Sequence, residues 1–159
     1  MTVSFDGKVV LVTGGTRGLG RAFSECAANA GATVILNSTT DEDGGTTQAI
    51  SDAGGKAIHM PGLVEEPDVL IEKIVIECGR IDAVIHNAGF VRDKTLRKMS
   101  DQQWDEVMGV HLTASFRLSR AVWPHFEEQG GGRIVLISSA SGLYGNFGQA
   151  NYAAAKIDM

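Results

Sequence analysis

Cysteine is scarce in this chain, and the two present, Cys26 and Cys78, have neither pairing nor metal-site spacing. Both fall in stretches that read as buried helix faces, so reduced core thiols are expected instead of a disulfide framework. The four histidines show no ligand spacing, and no metal site is predicted from them. Basic blocks and stripes are missing and the formal net charge is −5, which argues against a nucleic-acid or membrane-surface binder. No apolar run approaches membrane-spanning length, and residues 1–8 lack the basic-then-apolar pattern of a secretory signal; a cytoplasmic protein is the expectation. Low-complexity tracts, long linkers and internal repeats are absent too.

Glycine, by contrast, is abundant. Twenty glycines in 159 residues point to tight turns or to backbone that must approach a ligand closely. With 43% hydrophobic residues and no disorder signature, residues 1–159 suit one domain able to bury a core.

The order of apolar runs gives the architecture. Lys8–Thr13 is a short β-branched run of the kind covered on both faces, followed by the glycine turn Gly14–Gly20 and helical composition over Arg21–Ala30. Ala32–Asn37 is a second buried strand. Thr46–Ala53 is a short helix, and Lys56–Met60 a weak third strand broken by Pro61 and Gly62. Glu66–Cys78 carries Val69, Leu70, Ile74 and Val75 at helical spacing and leads to a fourth strand, Ile81–His86. Ser100 and Gln103 form a capping box opening a long helix, Asp101–Glu128, with Trp104, Val107, Met108, His111, Leu112, Ser115, Leu118 and Val122 on one inward face; Pro124 is expected to kink or end it. Arg133–Ile137 is a fifth strand, and helix is expected from Asn151 onward. Alternation of this kind predicts right-handed crossovers and an α/β, Rossmann-type doubly wound parallel sheet of about five strands in the order 3-2-1-4-5. Ligands in such folds bind beyond the carboxyl ends of the strands.

The unusual residues fall at that edge. The turn Thr13-Gly14-Gly15-Thr16-Arg17-Gly18-Leu19-Gly20 lies between a strand and a helix, where free backbone N–H groups and the helix dipole suit a pyrophosphate. Gly14, Thr16, Arg17, Gly18, Leu19 and Gly20 are the expected contacts. At the end of the second strand a carboxylate would bond a ribose 2′-hydroxyl and repel a 2′-phosphate, but Asn37-Ser38-Thr39-Thr40 offers none before Asp41. Together with Arg17, Ser38 therefore favours NADP(H) over NAD(H). In the other reading Arg17 is a solvated turn residue and Asp41 or Asp43 serves the ribose. Ser139, at the end of what reads as a buried strand, precedes the glycine-containing loop Ser141–Gly148 and then Tyr152 and Lys156, four residues apart. One helical turn puts the phenol beside an ammonium that favours phenolate, a candidate acid/base with a nearby hydroxyl to hold a carbonyl oxygen.

Taken together, Thr13–Gly20, Asn87-Ala88-Gly89, Ser139 and Tyr152-x-x-x-Lys156 resemble the short-chain dehydrogenases/reductases along essentially the whole chain. That resemblance implies that Ser139 orients substrate, Tyr152 is the general acid/base, and Lys156 binds nicotinamide ribose and lowers the tyrosine's pKa. Asn87, Ala88 and Gly89 join the cofactor contacts. Gly89-Phe90-Val91-Arg92-Asp93 and Gly145–Tyr152 look like 3-oxoacyl thioester reductases and, more closely, the (3R)-hydroxyacyl-CoA dehydrogenase units of multifunctional β-oxidation enzymes. The resemblance thus implies an acyl thioester substrate, on CoA or acyl carrier protein, and a homo-oligomer built through the long helix and the tyrosine helix. The family's fourth catalytic residue falls at His111, either a proton relay or a hydrogen-bonded core histidine. Two departures stand out: Leu63 where an adenine-contacting aspartate is common, and His86 where the family has a first asparagine.

Family members run further, so the chain reads as truncated within the tyrosine helix. One or two turns of helix are marginal without support, and the edge beside the fifth strand is expected to be open. The alternative to an enzyme is a catalytically silent remnant that at most binds dinucleotide or self-associates.

Overall fold

A computed structural model describes residues 3–157. Five parallel strands, β1 (Val9–Thr13), β2 (Thr33–Ser38), β3 (Lys56–Pro61), β4 (Ala83–His86) and β5 (Arg133–Leu136), form one sheet in the order β3-β2-β1-β4-β5. β1 sits at the centre, pairing Val10 with Val34 of β2 and with Ala83 of β4. The helices are α1 (Gly18–Asn29), α2 (Thr46–Asp52), α3 (Pro67–Cys78), α4 (Asp101–Met108), α5 (Ala114–Glu128), α6 (Ala140–Tyr144) and α7 (Ala150–Ile157). A π-turn, Gly109–Thr113, joins α4 to α5 without a break.

Strand alternation divides the core in two. Val9 and Leu11 face one layer with Ile35, Ile71, Ile74, Val84, Leu118 and Val122. Val10 and Val12 face the other with Ala27, Ala28, Val34, Leu36 and Ile50. Every residue of β1 is buried, as a strand covered on both faces must be. Each such Leu, Ile or Val contributes about 1.5–3 kcal/mol on removal from water, which fixes the strand ends and the loops that leave them. Among the described residues no helix is long and apolar enough to cross a membrane.

Several expectations are corrected. α1 begins at Gly18, three residues before the expected Arg21, because the glycine turn passes directly into helix. Pro61 belongs to β3, where its missing N–H is tolerated at the exposed end of an edge strand. Pro124 stays inside α5 on the exposed side, where water can reach the carbonyl it leaves unmatched. Trp104 is 37% exposed, since α4 packs on α7 and not on the sheet. Val69 is exposed and Ile71 takes its place in the buried stripe of α3. Cys26 is exposed, lying off the Gly20, Ser24, Ala27 and Ala28 stripe of α1, while Cys78 is half-buried. β5 is not a buried strand: it pairs only with β4 among the described residues, and its exposed and half-buried residues alternate. Part of the loop expected over Ser141–Gly148 is α6, capped by the Ser139 side chain, which accepts the Ser141 N–H at 3.2 Å.

Candidate active site

The carboxyl ends of β1, β4 and β5 open toward one edge, and the predicted site residues gather there. At β1, Gly14 and Gly18 take the left-handed conformation, with φ of +62° and +55°. A Cβ at Gly20 would stand 2.0 Å from the Gly14 carbonyl oxygen and 2.7 Å from Asn87 Nδ2, so turn and helix approach in a way only glycine allows. Asn87 Nδ2 donates to the carbonyls of Thr13 and Gly14 at 3.2 and 3.4 Å, tying the β4 loop to the turn. The N-terminus of α1 has no side-chain cap and no acid in its first turn. Its amides and dipole thus suit an anion, and the cradle fits the pyrophosphate of a dinucleotide. Arg17 and Leu19 are exposed beside it, and Thr16 is half-buried.

Beyond β2, Ser38 Oγ donates to the Thr40 carbonyl at 2.9 Å and lies 2.8 Å from His59 Nε2. Buried Asn37 donates to the carbonyls of Met60 and Gly62, and its Oδ1 lacks a partner. Asp43 accepts from the N–H groups of Gly45 and Thr47; the Thr47 side chain first, then these backbone groups, hold its carboxyl below the usual range. Both of its oxygens thus bond backbone at the start of α2, just after Gly44 and Gly45. Leu63 is exposed.

Tyr152 and Lys156 lie one turn apart on α7, as their spacing predicts, with the ammonium nitrogen 5.8 Å from the centre of the phenol ring. Lys156 is buried and donates to the Ile137 carbonyl at 2.5 Å; burial lowers its pKa to about 8. The His111 ring also meets Tyr152 edge-on, centroids 5.2 Å apart at 76°. His111 Nε2 is 2.9 Å from the Phe90 carbonyl, an acceptor, so that nitrogen carries the proton and Nδ1 is the acceptor. Nδ1 is buried without a partner in the protein. Burial depresses the His111 pKa, the Phe90 bond opposes this, and the Lys156 charge depresses it further. Gly89 makes the arrangement possible: a Cβ there would stand 2.0 Å from His111 Cε1. A tyrosine whose ring meets both an ammonium and a buried imidazole has groups beside it that can help move a proton to or from an oxygen.

The short chain dehydrogenase profile matches residues 8–159. The chain belongs to that family. Peroxisomal hydratase-dehydrogenase-epimerase of Neurospora crassa is 44% identical over 97% of the chain, and peroxisomal multifunctional enzyme type 2 of Mus musculus 45% identical over 98%. The 3-oxoacyl-(acyl-carrier-protein) reductase FabG of Escherichia coli is 44% identical over 99%. The chain spans 17%, 22% and 65% of these relatives' lengths. A short chain dehydrogenase from Mycobacterium avium superposes with a TM-score of 0.90 at 33% identity, covering 99% of this chain and 60% of that one. Full-length peroxisomal multifunctional enzyme type 2 from Drosophila melanogaster does so at 0.84 and 39%, covering 97% and 26%.

Several residues inside the stretches that carry the resemblance have contacts no motif reading assigns. Asn151 is fully buried and donates to the carbonyls of Arg92 and Gln103, joining α7 to the β4 loop and α4. Gln149 donates to both carboxylate oxygens of Asp93 at 3.2 Å, and the Lys94 N–H to Gly148 at 2.8 Å. Their one signal is position: polar residues crowded around Tyr152 and just after Gly89.

Proposed function

We propose that this chain is the dinucleotide-binding and catalytic part of an oxidoreductase that moves a hydride between NADP(H) and a 3-oxoacyl or 3-hydroxyacyl thioester. The observation that carries the reading is Tyr152 meeting both Lys156 and His111 at the sheet edge that also holds the glycine cradle. A bound nicotinamide dinucleotide supplies or takes up the hydride. Gly14, Thr16, Arg17, Gly18, Leu19, Gly20, Asn87, Ala88 and Gly89 hold it, with Lys156 on the ribose. Ser139 donates a hydrogen bond to the substrate oxygen, and Tyr152 gives that oxygen its proton in the reducing direction. The Lys156 charge stabilises the phenolate left behind. His111, through its unpartnered Nδ1, relays protons beside the tyrosine.

NADP(H) is favoured because Ser38 brings no carboxylate, Arg17 is exposed beside the turn, and Asp43 bonds backbone at the start of α2. The thioester class is supported by the Escherichia coli relative, a 3-oxoacyl reductase by name. Exposed Phe116 and Trp123 on α5 support assembly with a second copy. A cytoplasmic setting accords with the missing secretory pattern, whereas two relatives are named as peroxisomal.

The test is oxidation of NADPH with acetoacetyl-CoA by the native chain and by Tyr152→Phe. Loss of the acid/base is expected to lower kcat about 10²–10⁴-fold. An unchanged rate in the variant would overturn the assignment of Tyr152. NADPH binding without turnover in the native chain would favour the silent remnant.

A further inference from the structure

His86, which departs from the family's pattern, is completely buried between the glycine turn and the long helix. Thr13 Oγ1 accepts the backbone N–H groups of Asn87 and Ala88 at 3.1 and 3.0 Å. Both lone pairs of that hydroxyl are therefore used, and its one proton is directed to His86 Nδ1, 2.9 Å away. With Nδ1 accepting, a neutral imidazole carries its proton on Nε2. Nε2 lies 3.1 Å from the carbonyl oxygen of Val110 and donates to it. Burial, reinforced by the Lys156 charge, lowers the His86 pKa to about 4, which keeps the ring in this neutral form.

Val110 belongs to the π-turn, and its carbonyl has lost its ordinary partner. In an α-helix the amide of residue 114 would bond it; here the Ala114 N–H reaches back to Gly109 and His111 instead. His86 supplies the missing donor from outside the helix. The next residue is His111, whose ring the turn presents to Phe90 and Tyr152.

We infer that His86 is a positioning residue: its Nε2–H holds the Val110 carbonyl, keeps the π-turn wound, and so places the His111 ring beside Tyr152. The chain of bonds runs in one direction, from the Asn87 and Ala88 amides through Thr13 and His86 to Val110, and joins the cofactor turn to the proton-transfer side of the site. Its catalytic consequence rests on the function proposed above; the geometry does not.

Three variants separate the two halves of the bridge. His86→Asn keeps an acceptor for Thr13 but is too short to reach Val110, His86→Gln places an amide donor near the Nε2 position, and His86→Leu removes both. Long-range proton–nitrogen correlation spectra of the imidazoles report tautomer and environment, alongside kcat, KM and the NADPH Kd. Expected is a native His86 protonated at Nε2, and an Asn variant with displaced His111 ring signals. In that variant kcat falls about 10²-fold at unchanged NADPH Kd, the scale of a misplaced group, while Gln recovers most of the loss. A residue that merely filled the core would lower Tm in all three and leave His111 signals and kcat per folded molecule alone. A native His86 protonated at Nδ1, or His111 signals unmoved in the Asn variant, would overturn the inference. If the native chain shows no turnover, the proposed function fails, while the His111 signals still decide the role of His86. Should the Asn variant not fold, the native tautomer and the Gln variant decide it.

Discussion

Acidification is expected to destabilise this fold through His86 before its carboxylates are protonated. The ordinary histidine pKa of 6.5 falls to about 4 here, chiefly because burial in the sheet disfavours the charged ring. Between those values the unfolded chain binds a proton that the native chain refuses, so stability is complete above pH 6.5 and falls as pH falls toward 4. Two and a half units at 1.36 kcal/mol each is about 3 kcal/mol, with a slope of at most ~1.4 kcal/mol per pH unit. That is a large share of the ~5–15 kcal/mol typical of a domain. Burial also depresses the His111 pKa and adds in the same sense. Lys156, lowered from 10.5 to about 8, gives a slope of the same sign, but in the alkaline range. Asp82 titrates near 2, held down by Arg80, the Val9 N–H and Lys8 against its burial, and contributes below the window. Urea unfolding of the native chain and of His86→Gln, from about pH 7 to pH 5, reads the term, because groups distant from His86 cancel in the difference, leaving His86 and its coupling to His111 and Lys156. The native chain should lose about 2 kcal/mol more than the variant over that range. Parallel curves would refute the reasoning, since they would mean that His86 is protonated as easily in the native state as in the unfolded one.

Three further outcomes are expected. Gly20→Ala should abolish NADPH binding, measured by fluorescence titration, and lower stability by ~1–3 kcal/mol, because its Cβ meets backbone that cannot give way. Gly89→Ala pushes on a His111 ring already held by Phe90 and Tyr152; kcat should fall about 10²-fold, and an unchanged kcat would remove His111 from the mechanism. Ser38→Asp sets a carboxylate at the end of β2 and should move the ratio of kcat/KM for NADPH over NADH toward NADH by about tenfold or more; a ratio that stays put would show that Ser38 does not face the 2′ position.

The sheet was legible because its strands are buried on both faces: VVLVT and TVILN leave little choice but a central parallel pair, and a glycine turn joined to a helix fixes which edge binds. Tyr152 and Lys156 were legible because helical spacing alone juxtaposes them. The π-turn was not. The run from Asp101 to Glu128 has no residue that announces an extra one in the turn, and the side chain that meets the Val110 carbonyl lies 24 residues away, at His86. Trp104 was misjudged for a related reason: periodicity gives a face, but which layer that face meets is decided by α7. The two backbone partners of Asp43 were likewise invisible in the sequence, because they depend on how the turn before α2 is wound.

The support of α7 shows how far tertiary contacts outweigh local propensity. The described stretch of α7 is fastened by side-chain and backbone bonds to earlier parts of the chain at two places. At its N-terminal end Asn151 has every side-chain function bonded, its Nδ2 to the carbonyls of Arg92 and Gln103 and its Oδ1 to the Tyr152 N–H at 2.8 Å. At the other end the Ser138 hydroxyl donates to the Lys156 carbonyl at 2.7 Å, and Gly142 lets α6 approach where a Cβ would come within 2.9 Å of the Lys156–Ile157 backbone. Those partners come from the β4 loop, α4, the end of β5 and α6, all earlier in the chain. Tyr152 and Lys156 lie between the two ties, so their orientation toward His111 is set by contacts at both ends of the helix. Buried hydrogen bonds at 0.5–1.5 kcal/mol each, with the added penalty of leaving any of them unmade, are enough to hold two turns in place. The placement of Tyr152 and Lys156 is therefore a property of how α7 is docked, and Ser138 and Asn151 contribute to it directly.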